Sequence, residues 1–274
     1  LYKILITSLL ILLCGRIEPS FGSPVVFRVV IDPGHGGADE GTVYRHGRAR
    51  VAEKTVTLSL ARKVAHQLMA RGFNVSLTRN SDIEVPLPDR TSLANRLAAD
   101  VFISIHMNST EANSLSDPEG VETFILNNAT DASSRRLARL ENSVITTQLQ
   151  ESPDQLVDVA LILKDLRLDG NLWESKRLAC HVQGNLIVAT SPPKTRAHRN
   201  RGVKQALFHV LLGADMPSIL VEAGFLSNAH DREILLSQKG QAKISQAIAD
   251  AVDHYRQHKN STKDLSTLGM CKVN

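Results

Sequence analysis

Short apolar runs alternate with helical stripes along this chain from Val25 onward. Val25–Ile31 is an apolar run ending at Asp32-Pro33-Gly34, which predicts a buried strand leading into a loop. Lys54–Ala70 carries Val56, Leu60, Val64 and Leu68 at helical spacing, and Gly72 supplies a stop. Phe73–Thr78 reads as a strand and Arg90–Ala98 as a helix. Val101–Ile105, Val121–Leu126 and Pro217–Val221 read as further strands, and Gln241–Tyr255 as a closing amphipathic helix. Strands separated by helices predict an α/β fold, a mostly parallel twisted sheet with helices on both faces.

The rhythm breaks between Asn127 and Asn200, where helical patterns follow one another with no convincing strand. Arg135–Ile145 and Leu156–Leu168 have helix-like spacing on either side of Ser152-Pro153, and Ser175–Ala189 continues the pattern. A helical insert of that size exceeds the usual connection in an alternating domain and predicts a functional elaboration. The polar residues 259–274 read as a disordered tail.

At the other end, Lys3 precedes an apolar stretch, Ile4–Cys14, too short to span a bilayer but suited to a signal-peptide core. Ser20-Phe21-Gly22 offers small residues at the cleavage positions, so residues 1–22 are expected to be removed and residues 23–258 to form the mature domain. A lipid anchor on Cys14 is disfavoured by Leu13, since such signals want a small residue there. No stable membrane anchor is therefore expected.

Composition narrows the classes. Over 274 residues, 42% are hydrophobic, enough for a true core, and a formal charge of +4 is too mild to indicate nucleic acid. Of the cysteines, Cys180 and Cys271 remain after cleavage and read as incidental. No cysteine pair has zinc-finger spacing, so any metal must be held by histidines and carboxylates.

Candidate chemistry gathers at strand ends. His35 follows the first strand in Asp32-Pro33-Gly34-His35-Gly36-Gly37. His106 ends the Val101–Ile105 strand, and Glu222 ends the Pro217–Val221 strand. Ligands of open α/β sheets bind outside the carboxyl ends of strands, so these three meet one rim. Glu53, at the start of the first long helix, reaches the same rim. Two imidazoles and a carboxylate leave a zinc ion an open position, the catalytic rather than the structural arrangement, and a second carboxylate can move protons. Each residue alone has a bland explanation, a turn glycine or a solvated helix start; the coincidence of several carries the reading. Ser59, Ser104 and Cys180 lack an evident base, and no His-Glu-x-x-His, Gly-x-Ser-x-Gly or phosphate-loop motif is present.

Four segments resemble, in order, the zinc-dependent N-acetylmuramoyl-L-alanine amidases of the cell-division (Amidase_3) type. They are Val30–Gly37, Glu53-Lys54, Leu93–His106 and Met216–Asn228, the last nearly uninterrupted. The resemblance covers about Phe27–Tyr255; Met107 departs from it where a smaller residue is usual. It implies a six-stranded, mainly parallel sheet, Zn2+ held by His35, Glu53 and His106, and Glu222 as catalytic base. It implies hydrolysis of the lactyl–L-alanine amide of peptidoglycan, in the periplasm or outside the cell, by a monomer active in cell separation or wall remodelling. It also implies that a helix within about Ala132–Leu166 covers the metal until a periplasmic activator with a LytM-like domain displaces it. One of Glu141, Glu151, Asp154 or Asp158 could then supply the blocking oxygen; the alternative is an insert that is purely structural or grips the substrate. Two other readings suit the same residues: a zinc carboxypeptidase on a related sheet, and a non-catalytic peptidoglycan-binding scaffold.

Overall fold

The first strand, β1 (Arg28–Pro33), is buried from its second residue onward. It pairs in parallel with β4 (Asn74–Leu77) on one edge and β5 (Val101–Asn108) on the other. A strand paired on both edges and covered on both faces has no solvent side, which is why its sequence shows no polar alternation. β5 and β8 (Ser218–Phe225) follow the same rule and are buried at every residue. With β6 (Val121–Leu126) and β7 (Asn200–Ala206) they complete a six-stranded sheet in the order β4-β1-β5-β8-β6-β7. Every pairing is parallel except β6 with β8, so the expected mostly parallel sheet is present with one reversal. This computed structural model describes residues 26–46, 49–108, 110, 117–149, 168–191, 194 and 199–259.

Helices cover both faces. On one side lie α1 (Glu53–Met69), α4 (Leu168–Thr190) and α7 (Gln238–His258). Their buried residues, among them Val56, Leu60, Val64, Leu178, Val182, Ile244 and Ile248, pack on Ile31, Ile103, Ile105 and Val221. On the other side α2 (Leu87–Arg96), α3 (Ala132–Leu149) and the short α5 (His209–Leu212) enclose Val30, Phe102, Phe124 and Leu220. Each fully buried large aliphatic side chain contributes roughly 1.5–3 kcal/mol. The last connection uses α6 (Ala229–Leu236), capped by Asn228, whose side chain accepts from the N–H groups of His230 and Asp231.

Some elements were not anticipated. The hairpin of β2 (Val43–His46) and β3 (Ala49–Ala52) sits between β1 and α1. β7 is an edge strand in which Val203 and Ala206 alone are buried, so it offers no apolar run to read. Within the stretch 127–200, α4 is a core helix bridging the parallel pair β6 and β7, as crossover helices do. Cys180 on that helix is disulfide-bonded, which corrects its reading as incidental; Cys14 and Cys271 lie outside the described residues. So do the expected signal peptide, the polar tail beyond Lys259 and nearly all of the Leu156–Leu168 stretch. Among the described residues, no helix is long and apolar enough to cross a membrane.

Candidate metal centre

At the carboxyl end of β1 the chain turns sharply, and His35 takes a left-handed backbone conformation (φ 61°) uncommon for a residue with a side chain. The turn closes through a pair of backbone hydrogen bonds between Gly36 and Asp39. Two buried arginines hold it from below. Arg90 donates to the carbonyls of Pro33 (2.9 Å) and His35 (3.0 Å), and Arg79 to those of Pro33 (3.0 Å) and Gly34 (2.8 Å). Fully buried Asp32 balances this charge, accepting from Arg90 at 2.8 Å and from the hydroxyls of Thr78 and Ser104. Burial alone would raise the Asp32 pKa, but Arg90 and the two hydroxyls hold it below the usual value. Removing one partner of such a buried pair costs about 3–5 kcal/mol. The His35 turn is thus anchored in the sheet.

Asp39 then orients the imidazole. Its carboxylate lies 2.9 Å from His35 Nδ1, so that nitrogen donates and Nε2 carries the lone pair on the opposite side. Glu53, the first residue of α1, is fully buried; its Oε1 accepts from the Met107 N–H (2.7 Å) and its Oε2 from the Thr42 N–H (2.8 Å). His106, near the end of β5, completes the group. His35 Nε2 lies 3.1 Å and His106 Nδ1 3.3 Å from Glu53 Oε1. Glu141, on α3, approaches from the facing layer, 3.4 Å from His35 Nε2 and 3.0 Å from His106 Nδ1.

Close approach depends on two glycines. A Cβ at Gly34 would stand 2.5 Å from the His106 ring, and one at Gly41 would stand 2.5 Å from the His35 ring and 2.6 Å from Glu53 Oε2. Neither His35 Nε2 nor His106 Nδ1 has a hydrogen-bond partner among the described residues, although both are buried. Both nitrogens instead face the Glu53 and Glu141 oxygens at 3.0–3.4 Å without hydrogen-bond geometry, as donors gathered around a common point do. Electrostatics agree. Burial should lower both histidine pKa values, yet Glu141 and Glu53 raise that of His106 to about 10, and Glu53, Glu141 and Asp39 hold that of His35 well above normal. Glu53 is pushed up by burial and pulled far down by His35 and His106. Two carboxylates facing two imidazoles call for positive charge, and with one ligand atom from each, all four residues fall within 4.8 Å of one another. Nitrogen and oxygen donors of this kind suit Zn2+.

The structure therefore brings together His35, Glu53 and His106, three residues singled out from sequence. Of the four acids considered for blocking the metal, Glu141 joins them; Glu151, Asp154 and Asp158 lie outside the described residues. Glu222 is the register partner of His106 across β5 and β8, which puts both side chains on one face of the sheet. It is fully buried, and neither carboxylate oxygen has a hydrogen-bond partner among the described residues. Burial pushes its pKa well up; Glu141, Glu53 and Glu122 add to this, and His106 opposes it.

A buried His-His-Glu group at the rim of a parallel sheet, with a free carboxylate beside it, is the arrangement of a metal-dependent hydrolase. Residues 29–254 match the family described as N-acetylmuramoyl-L-alanine amidase, and the chain belongs to that family. It is 35% identical over 230 residues to the N-acetylmuramoyl-L-alanine amidase AmiC of Neisseria meningitidis, covering 83% of this chain and 52% of that protein. It is 33% identical over 231 residues to AmiA of Escherichia coli, covering 83% of this chain and 75% of that one. The chain thus spans about half the length of the first relative and three quarters of the second. Among solved structures, an N-acetylmuramoyl-L-alanine amidase from Clostridium difficile superposes with a TM-score of 0.61 at 28% identity, over 87% of this chain and 99% of that one. AmiC2 of Nostoc punctiforme gives 0.59 at 29%, over 84% and 97%.

Sequence reasoning missed the supporting shell: Asp32, Asp39, Arg79, Arg90 and Glu122. Asp39 had a usable signal, since an acid four residues from a candidate ligand within one glycine-rich turn can reach its ring. The arginines had none, because the partners that fix the turn, its backbone carbonyls and Asp32, lie dozens of residues away.

Proposed function

We propose that this chain is an exported zinc amidase that hydrolyses the bond between N-acetylmuramic acid and L-alanine in peptidoglycan. One observation carries the reading: two buried imidazole nitrogens converge on the Glu53 and Glu141 carboxylates at 3.0–3.4 Å, beside the Glu222 carboxylate, neither of whose oxygens has a hydrogen-bond partner among the described residues. Family membership and the amidase relatives support the substrate. His35, Glu53 and His106 hold the metal, and Glu222 is the general base. Bound Zn2+ supplies Lewis acidity, polarising the amide carbonyl and making water easier to deprotonate.

The chain's own groups do the rest. Glu222 takes a proton from the attacking water and returns it to the leaving L-alanine nitrogen, so one water is added across the amide and the products are a lactyl carboxylate and a free amine. Asp39 keeps the His35 tautomer, and the two backbone N–H groups on Glu53 keep its carboxylate oriented. The test is a digest of purified peptidoglycan with and without chelator, read by mass spectrometry. Free stem peptides and intact glycan chains are expected without chelator, and neither with it. Peptides shortened at their carboxyl ends would favour a carboxypeptidase instead, and no products even from the Glu141→Gln variant a binding protein.

Glu141 supports a second feature, autoinhibition. Its carboxylate lies 3.4 Å from His35 Nε2 and 3.0 Å from His106 Nδ1, so a metal held there would have it as a fourth ligand in place of water. In this reading α3 is the covering helix, and an activator with a LytM-like domain lifts it. Glu141→Gln is expected to raise basal hydrolysis roughly 5–150-fold, the range of a coupling of about 1–3 kcal/mol. Unchanged basal turnover of a dye-labelled wall would remove the blocking role. The disulfide at Cys180 fits an oxidising compartment and so supports export to the periplasm or beyond.

A further inference from the structure

The row of functional side chains continues past Glu222. Glu222 is the register partner of Glu122 across β8 and β6, as it is of His106 across β5 and β8, so His106, Glu222 and Glu122 share one face on three neighbouring strands. Glu122 is buried, with 3% of its surface exposed. Two cations from β7 converge on a single oxygen of it: Lys204 Nζ lies 2.7 Å and Arg201 Nε 3.0 Å from Glu122 Oε2. The other oxygen accepts from the Asn108 side-chain amide. Two positive charges thus face one carboxylate, with Glu222 the next acid along the row. The nearby acid that senses Lys204, Asp131, is already engaged by Ser133 and Ser134 at the start of α3.

Both cations are held in place. The Arg201 guanidinium stands 5.0 Å from the Phe225 ring centroid and Lys204 Nζ 5.9 Å from that of Phe124. Arg201 uses Nε toward Glu122, while its terminal amino groups make no hydrogen bond among the described residues. Its side chain is 27% exposed and that of Lys204 12%, so both can be reached from outside. A guanidinium edge and an ammonium aligned by a buried acid form a receptor for a carboxylate.

We propose that Arg201 and Lys204 form a subsite for a carboxylate on the peptide side of the substrate, with Glu122 as the positioning residue that aligns them. Spacing sets the length. Two strand steps of about 4.8 Å separate β5 from β6, so the cations meet at Glu122 on the order of 10 Å from His106. An extended peptide covers about 3.3–3.6 Å per residue, which brings a carboxylate roughly three residues beyond the scissile amide to this point. The proposal rests on the amidase reading and adds the part of the substrate that is gripped.

The test uses the full chain with its zinc and two synthetic N-acetylmuramoyl tripeptides beginning with L-alanine, one ending in a carboxylate and one in a carboxamide. The wild type is expected to cleave the carboxylate at least about tenfold more efficiently in kcat/KM, mainly through KM. Arg201→Gln with Lys204→Met is expected to bring both substrates to the carboxamide value with kcat little changed. Equal cleavage of the two substrates by the wild type would overturn the subsite, as would a preference that survives in the double variant. Should that variant fail to fold, the wild-type comparison still decides. If neither compound is cleaved by the wild type or by the Glu141→Gln variant, the amidase reading fails; calorimetric binding of the two compounds then judges the subsite separately, tighter binding of the carboxylate supporting it and equal binding overturning it.

Discussion

Replacing Glu222 with glutamine is expected to slow amide hydrolysis by the activated enzyme at least about a hundredfold while leaving the metal content unchanged. The side chain is fully buried and its two oxygens have no hydrogen-bond partner among the described residues. A carboxylate in that state is costly to keep, since burial disfavours its charged form, and it sits beside the group proposed to hold zinc. Glutamine keeps the shape but cannot accept and return a proton, and loss of a positioned general base costs about 10²–10⁴-fold. Because a neutral amide is easier to bury than a charge, the variant should fold at least as well as the parent. Turnover of a defined muropeptide, with metal analysis on the same sample, separates the base from the ligands. Near-normal turnover would move the base to another residue.

Replacing His106 with alanine should abolish hydrolysis and strip the metal. The His106 Nδ1 atom is one of two nitrogens offered to the site, and its raised pKa reflects the surrounding carboxylates Glu141 and Glu53. Without it, Glu53, Glu141 and His35 present two acids and one imidazole, a poorer set for zinc. Loss of an outer partner of a metal ligand typically costs 10–100-fold in affinity, so loss of a ligand should exceed about a hundredfold. Competition with a chromophoric chelator measures this without recourse to activity. A variant that retains wild-type zinc affinity would show that the metal is held elsewhere.

Much of this was readable in one dimension. Buried parallel strands advertise themselves as unbroken apolar runs, so β1, β5, β6 and β8 were all anticipated, and with them the strand ends that present His35, His106 and Glu222. α1 was equally plain because Val56, Leu60, Val64 and Leu68 repeat at the helical period and all four are buried. β7 escaped because an edge strand carrying Lys204 and Arg201 shows no such run. The hairpin of β2 and β3 escaped for a related reason, its residues being largely half-buried or exposed.

Side-chain type and local period are properties of the chain, and they were enough to name two histidines and two glutamates as candidates. Which of several acids in the helical segment faces them was not such a property. Glu141 and Glu53 reach the same pair of nitrogens because α3 and α1 approach the rim from opposite layers, and only packing sets that meeting. The same holds for the arginines beneath His35 and for the cations on Glu122. Their partners are backbone carbonyls or acids dozens of residues away, and no local pattern records a contact made by the fold as a whole.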